Sequence, residues 1–392
     1  MLFCSCTADP NTSEAVTSGT EQQESSMVEE STANIPVTSM PVPQMTLDRI
    51  PNICTSRYGY YQLNADEKAV YDQIVSSARA FQSDVELCRK LSDIQVKRIC
   101  HILYLEETEL YYLTMGYQLR LNESTGIVSA VKLSYRYNSM TVSQINEELS
   151  DKVEEILSKI TPGMSDIDKV KYFHDTIVLN CRYTDEGDYV SAPYGALVKG
   201  EALCEGYARA FAMLCNKVGI ENLFATGTVG EEEHMWNMVK VDGAWYNIDV
   251  TWDDPAFTQN VKLDDGYIQY SYFLFPDRWL SAELVADKNL FDLPLAETFS
   301  ANYYVYNNLY CYDYDEIKRK LSKAIYSAYE NRTRFVSVRC VNAKLYNQAV
   351  EKLVQEKEIF STELSPPELR KFVFMPHLGG NQIIQFELSY DE

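Results

Sequence analysis

The chain has 392 residues, 46% hydrophobic and 23% charged, the balance of a globular protein with room for two or three domains. Against 35 Lys and Arg stand 57 Asp and Glu, a formal net charge of -22, so no basic stripe is available for phosphate and a nucleic-acid partner is excluded. No apolar run approaches the roughly 18 residues that span a bilayer.

The opening, MLFCSCTADPNTSE, sets an apolar scrap and two cysteines before a polar tail. That is the pattern of a lipoprotein signal whose front is missing. On this reading Cys6, or else Cys4, carries a lipid and anchors an extracellular or cell-surface protein; the alternative is a cytoplasmic chain with a frayed start. Residues 7–46 hold no Lys or Arg and few large apolar groups, so 1–46 reads as a signal remnant and a disordered tether.

Asn64 with Glu67, and Ser92 with Gln95, are capping boxes that open two helices. Val70, Ile74 and Phe81 stripe the first; Val96, Ile99, Cys100 and Leu103 stripe the second. The stretch from Leu110 to Tyr137 alternates and breaks at Asn122–Gly126, which predicts a hairpin. Thr141 and Gln144 start a helix with Ile145, Leu149, Val153, Ile156 and Ile160 on one face. These elements make a small α+β domain over 47–160.

TPGMSD punctuates, and Ser165 with Asp168 caps the next helix, striped by Ile167, Val170, Phe173 and Ile177. His174 sits near that stripe, where a histidine is more often satisfied core than catalyst. The region 161–298 holds the chemistry, and 299–392 reads as a C-terminal α+β unit. In that unit YYVYNN and RFVSVRC are strands, 313–329 and 343–354 helices, and KFVFMP and QIIQFELSY two further strands. Its Tyr-rich opening fits a ligand-stacking surface or, more simply, a half-exposed strand.

Cys204, Ala208, Phe211, Cys215 and Val218 are spaced as a helix that ends at Gly219. Cys215 lies on the buried stripe. Cys204 stands at the N-terminal end, where unpaired N–H groups and the helix dipole favour a thiolate; it is a nucleophile or a space-filler. Gly206 removes a side chain beside it, which would let a substrate approach. The other cysteines show no metal-ligand spacing.

Downstream, Asp242-Gly243 between alternating apolar residues predicts a two-residue type I′ turn. That turn sets Val241 opposite Ala244, Val239 opposite Tyr246 and Trp236 opposite Asp249. His234, Trp236, Met238, Trp245, Asn247, Asp249 and Thr251 then share one face. Met235, Val239, Val241, Tyr246, Ile248 and Val250 share the other, the better core face. His234 and Asp249 become diagonal neighbours about 7–8 Å apart at the backbone, a gap that one hydrogen bond can span. Read alone they are a polar pair on a solvated strand; two tryptophans on the same face say that the Cys204 helix or a substrate packs there. A metal site from EEEH and Cys204 lacks a second His at ligand spacing, so no metal and no cofactor are expected.

APYGALVKG, ALCEGYARAF and HMWNMVKVDGAWYNIDVTWDDP together resemble the transglutaminase-like superfamily over about 163–280. The resemblance implies an α+β, papain-like core: a helix with an N-terminal Cys packed on an antiparallel sheet. It implies Cys204 as nucleophile, His234 as base and Asp249 as orienting acid. The motifs of calcium-dependent animal members are missing, so calcium dependence is not carried over. The expected reaction is attack of Cys204 on an amide of a peptide or protein, through a thioester resolved by water or by an amine. Hydrolysis is favoured, because no amine tunnel is readable. The backbone N–H of Cys204 is one oxyanion donor, and Tyr194 or Trp236 the second; Tyr194 serves equally as a packed core tyrosine. The rival is a non-catalytic cell-surface module holding a peptide or glycan on the same fold.

Overall fold

The computed structural model describes residues 56–122, 124–254, 267–280, 284–287, 291–369, 371–375 and 382–390. Cys4, Cys6, Cys54 and the 1–46 tether lie outside the described residues. Helix α1 (Ala65–Arg79) is followed by strand β1 (Asp84–Ser92), helix α2 (Asp93–Glu106), and the hairpin β2 (Gln118–Asn122) and β3 (Ile127–Lys132). Both capping boxes form as expected, on Asn64 and Ser92. Phe81 falls outside α1, with φ of 54°. Strand β1 was not expected: its burial pattern does not alternate cleanly, because it is bulged between Glu86 and Leu91 where it pairs with β3.

Helix α3 (Ser139–Leu157) begins earlier than Thr141, because the Asn138 side chain accepts from the Thr141 N–H and so is the cap. Helix α3 ends at Leu157, before Ile160. Helix α4 (Asp166–Asn180) starts on Ser165, as its capping pattern predicts. A short parallel pair, β4 (Arg182–Tyr183) and β5 (Glu201–Ala202), brings the chain to α5 (Cys204–Lys217). Then come β6 (Asn222–Val229), β7 (Glu232–Val241), β8 (Ala244–Ile248) and β9 (Leu284–Ala286), in the sheet order β8-β7-β6-β9.

The protein is α+β: helices lie against antiparallel sheets, and α5 packs on the sheet through β7. One apolar cluster gathers residues from Leu63 to Ala301 and so crosses the 160/161 position; Val70, Val96, Leu149, Phe173, Phe211 and Val239 all belong to it. A second cluster, Cys311 to Leu388, is the C-terminal unit's own core.

In that unit YYVYNN is not a strand. Tyr303–Tyr306 forms a one-turn helix, α6, because the Asn302 side chain caps the Tyr304 N–H. Tyr303 stacks on Tyr270 at 3.8 Å and Tyr304 is buried, so the Tyr-rich opening is packing rather than a strand surface. A two-residue strand that was not expected, β10 (Tyr310–Cys311), follows it; the rest agrees with the sequence: α7 (Tyr314–Asn331), β11 (Phe335–Cys340), α8 (Ala343–Val350, continued by a π turn to Gln355), β12 (Lys371–Phe374) and β13 (Ile383–Ser389).

Candidate active site

The β7–β8 hairpin turns on Asp242 and Gly243, with φ of 50° and 80°, the left-handed pair that a type I′ turn requires. Val241 faces Ala244, Val239 faces Tyr246, and the ladder closes at Asn237 opposite Ile248. The next pair, Trp236 with Asp249, does not form. The Asp249 N–H donates instead to the Tyr272 carbonyl at 3.0 Å, and the chain turns away from β7. Parity nevertheless survives the departure: His234 Nε2 lies 2.6 Å from Asp249 Oδ2.

Both groups are buried, His234 at 5% exposure and Asp249 at 1%. A carboxylate so placed is held to its task by a second donor, the Trp252 N–H at 3.0 Å from Oδ1. The Trp252 ring stacks on the imidazole at 5.1 Å and 20°, and Trp236 lies nearly parallel to it at 6.1 Å and 16°. Trp252 was given no role by the sequence reading; it leaves the strand pattern just past the hairpin, where periodicity gives no orientation.

Cys204 is the first residue of α5, a helix with no side-chain cap at its N-terminus. Cys204 and His234 line the same cavity, of about 890 Å³, together with Tyr104, Arg136, Tyr137 and Glu205. Tyr104, Arg136 and Tyr137 come from the segment before 160, so that segment builds part of the cavity wall.

Two expected oxyanion donors are placed elsewhere. Tyr194 donates its hydroxyl to Glu148 at 2.7 Å, and it is not among the cavity residues. Trp236 donates its indole N–H to Asn247 Oδ1 at 2.9 Å and lies on the far side of the sheet from α5. On that face Leu293, Ala296 and Tyr58 pack with Trp236, Met238 and Trp245, and His234 near the start of β7 reaches the cavity. The opposite face is α5's, where the Asn237 amide donates to Ala208 O at 3.1 Å. Gly206 also has another purpose than substrate access. A Cβ there would lie well inside contact distance of Val190 O and 2.8 Å from Ala202 Cβ, so the glycine lets α5 close on backbone. Cys215 is buried core, as its stripe predicts.

Behind Asp249 lies a second buried polar group. His174 is fully buried, with Nδ1 3.0 Å from Asp175 Oδ1 and Nε2 3.2 Å from Asp253 Oδ2. Asp253 also accepts from the Tyr272 N–H at 2.9 Å, and its own N–H donates to the Asp249 carbonyl at 3.2 Å. Burial pulls the His174 pKa down, but the hydrogen bonds and charges of Asp175 and Asp253 outweigh it and raise it to about 9. Asp254 is buried too and accepts from the Tyr207 hydroxyl at 2.6 Å. Asp253 and Asp254 are thus both buried hydrogen-bond acceptors beside the site. Their partners are remote in sequence, so no local signal marks them. Among the described residues, no group of three His, Cys, Asp or Glu is arranged to hold a metal ion.

Residues 152–250 match the family model of the transglutaminase-like superfamily. Among curated proteins the chain resembles the kyphoscoliosis peptidase of Mus musculus, 25% identical over 177 residues, which covers 40% of this chain and 26% of that protein. The chain therefore spans about a quarter of the length of that relative. Solved structures similar to it include a TGase, 16% identical with a TM-score of 0.25, covering 43% of this chain and 50% of that one. A putative cysteine protease from Cytophaga hutchinsonii is 14% identical with a TM-score of 0.24, covering 41% and 55%. The stretch that carries the family signature is the one that holds α4, α5, β6 and β7 and ends just past Asp249.

Proposed function

We propose that the protein is a cysteine-dependent hydrolase or acyltransferase acting on amides of peptide or protein substrates. The observation that carries this reading is the buried 2.6 Å contact of His234 with Asp249, made by a histidine that shares a cavity with a cysteine at a helix N-terminus. Cys204 Sγ attacks the amide carbonyl as the thiolate. His234 gives its proton to the departing amine, and a thioester forms. Water, activated in turn by the imidazole, or a second amine then breaks the thioester and returns the thiol. Since Nε2 faces Asp249, Nδ1 is the ring nitrogen that exchanges the proton with sulfur. Asp249 fixes that tautomer and stabilises the imidazolium. The Cys204 backbone N–H, at the start of α5, is the donor proposed for the oxyanion.

The experiment runs a quenched-peptide assay and an amine-incorporation assay side by side on the wild type and on Cys204→Ala. Turnover should fall by about 10⁴-fold or more in the variant. Ammonia or peptide release without amine incorporation assigns the resolving step to water. Turnover that survives in Cys204→Ala would remove Cys204 as the nucleophile, and no turnover in the wild type would leave a peptide-binding module on the same fold.

A further inference from the structure

Glu205 follows Cys204 directly on the first turn of α5, and its carboxylate is gripped from three directions. The Tyr104 hydroxyl, from α2, donates to Oε1 at 2.8 Å. Arg209, one turn further along α5, donates Nε to the same oxygen at 2.9 Å. Arg136, in the link between β3 and α3, reaches Oε2 with Nη1 at 3.3 Å and Nη2 at 3.4 Å. Arg209 is 1% exposed and lies over the rings of Tyr104 and Phe224 at 4.9 and 5.2 Å. Burial pushes the Glu205 pKa up, yet the charges of Arg136 and Arg209 prevail and hold it below its usual value.

We propose that Glu205, Arg136, Arg209 and Tyr104 form a clamp that positions Cys204 and places net positive charge beside its thiol. This rests on the cysteine-enzyme reading above. One carboxylate against two guanidiniums leaves a charge of +1. The sign matters because the rest of the cavity is acidic. Asp185 and Asp188 on the loop after β4, Glu233 on β7 and Asp287 after β9 face the same space. The other titratable groups there are His101, His234, Tyr137 and Tyr189. Four carboxylates raise a thiol pKa and work against the nucleophile. They are exposed, however, and water and salt screen them. Arg209 is buried and Tyr104, Arg136 and Glu205 are half-buried, so the clamp's charge acts through a lower dielectric than the exposed carboxylates and its effect on sulfur prevails. Its members are positioning residues: none is assigned contact with the reacting atoms.

The test measures, on the full chain, how the rate of Cys204 alkylation by iodoacetamide depends on pH, together with kcat and KM on a peptide substrate. Arg136→Met leaves a clamp charge of zero, so the alkylation midpoint should rise by about half to one pH unit, with kcat about tenfold lower and KM within twofold. Glu205→Gln leaves +2, so the midpoint should move the opposite way. The double variant restores +1 and should return to the wild-type midpoint; Arg136→Lys, which keeps the charge, should not leave it. A merely structural clamp would move the single variants in one direction and make the double worse. Shifts of one sign, or wild-type midpoints in variants that still melt cooperatively, would overturn the proposal. Should Arg136→Met fail to fold, Glu205→Gln at +2 should still lower the midpoint while Arg136→Lys at +1 leaves it unmoved, and a shift in both or in neither would overturn the proposal. The midpoint belongs to the thiol, so it is read whether or not substrate turns over. Loss of the cysteine-nucleophile reading through an active Cys204→Ala is thus a separate result.

Discussion

His174 shows how much a single side chain can bind together. Set between Asp175 on its own helix and Asp253 beyond β8, it ties α4 to the turn that bears Asp249. Its folded pKa of about 9 lies above the ordinary imidazole value of 6.5, so the protein holds this proton more tightly when folded. The stabilisation is therefore fully present below pH 6.5 and is lost as pH rises through about 9. Asp253, raised to about 6 chiefly by burial, has the same sign and loses its contribution over a lower window, as pH climbs from 3.8 through about 6. Asp175 runs the other way: its pKa is lowered, so it adds stability above 3.8 and loses it in acid. Lys171, whose ammonium lies 2.5 Å from Asp175 Oδ2 and 2.7 Å from the Tyr270 hydroxyl, is the remaining charge in the group. Replacing one partner of a buried pair strands the others, so His174→Gln should cost about 3–5 kcal/mol near pH 6.5. The gap in melting temperature between the wild type and this variant should then shrink as pH is raised past 9. A gap that stays constant across that interval would show that shape, not the shared proton, is what His174 contributes.

At the level of the element, α5 and the β7–β8 hairpin were the most legible parts of the chain, and for physical reasons. Asp242-Gly243 admits only one kind of tight turn, and period-2 alternation then allots each side chain a face. Cys204 to Lys217 reads as a helix because its apolar residues recur every three or four positions. What alternation cannot say is what covers each face. Two tryptophans pointed to a site on the His234 side, but Trp236 and Trp245 pack with Leu293 and Ala296, which are remote in sequence from the hairpin. Gly206 is a similar case: the sequence shows the missing side chain and not the backbone that takes its space. Gly206→Ala should press α5 away from Val190 and Ala202. Overpacking of this sort costs about 1–3 kcal/mol, and it would shift the residue two places before it, Cys204. Thermal melting and Cys204 alkylation should both deteriorate. Adding Ala202→Gly should recover only part of the loss, because the Val190 carbonyl remains. An unchanged melting temperature and alkylation rate would mean that the helix end has slack.

For the whole molecule, the central question is whether the segment before 160 is a neighbour or a component. Sequence divides the chain at TPGMSD because capping, periodicity and turn signals are all local. Contacts between remote segments leave no such trace, and here they are numerous. Tyr172 donates its hydroxyl to the Ile156 carbonyl at 3.0 Å, and Tyr194 bonds Glu148. Asn216 donates to the Thr108 hydroxyl at 2.7 Å, in a buried position. Tyr104 and Arg136 reach Glu205 beside Cys204. The apolar cluster runs without a break through both halves, whereas the C-terminal unit keeps a core of its own. A fragment of residues 161–392 should therefore expose the faces of α4 and α5 that the first half covers, and leave the Arg209–Glu205 pair without Tyr104 and Arg136. Such a chain should keep helical far-ultraviolet dichroism, bind ANS and lose its near-ultraviolet signal, the marks of secondary structure without fixed packing. Supplying residues 47–160 in trans should bring back the near-ultraviolet signal, since the missing surface is apolar and contiguous. A fragment that melts sharply by itself and alkylates at Cys204 with the full-length pH midpoint would show instead that the two halves merely adjoin, and that the clamp is not needed to set the thiol.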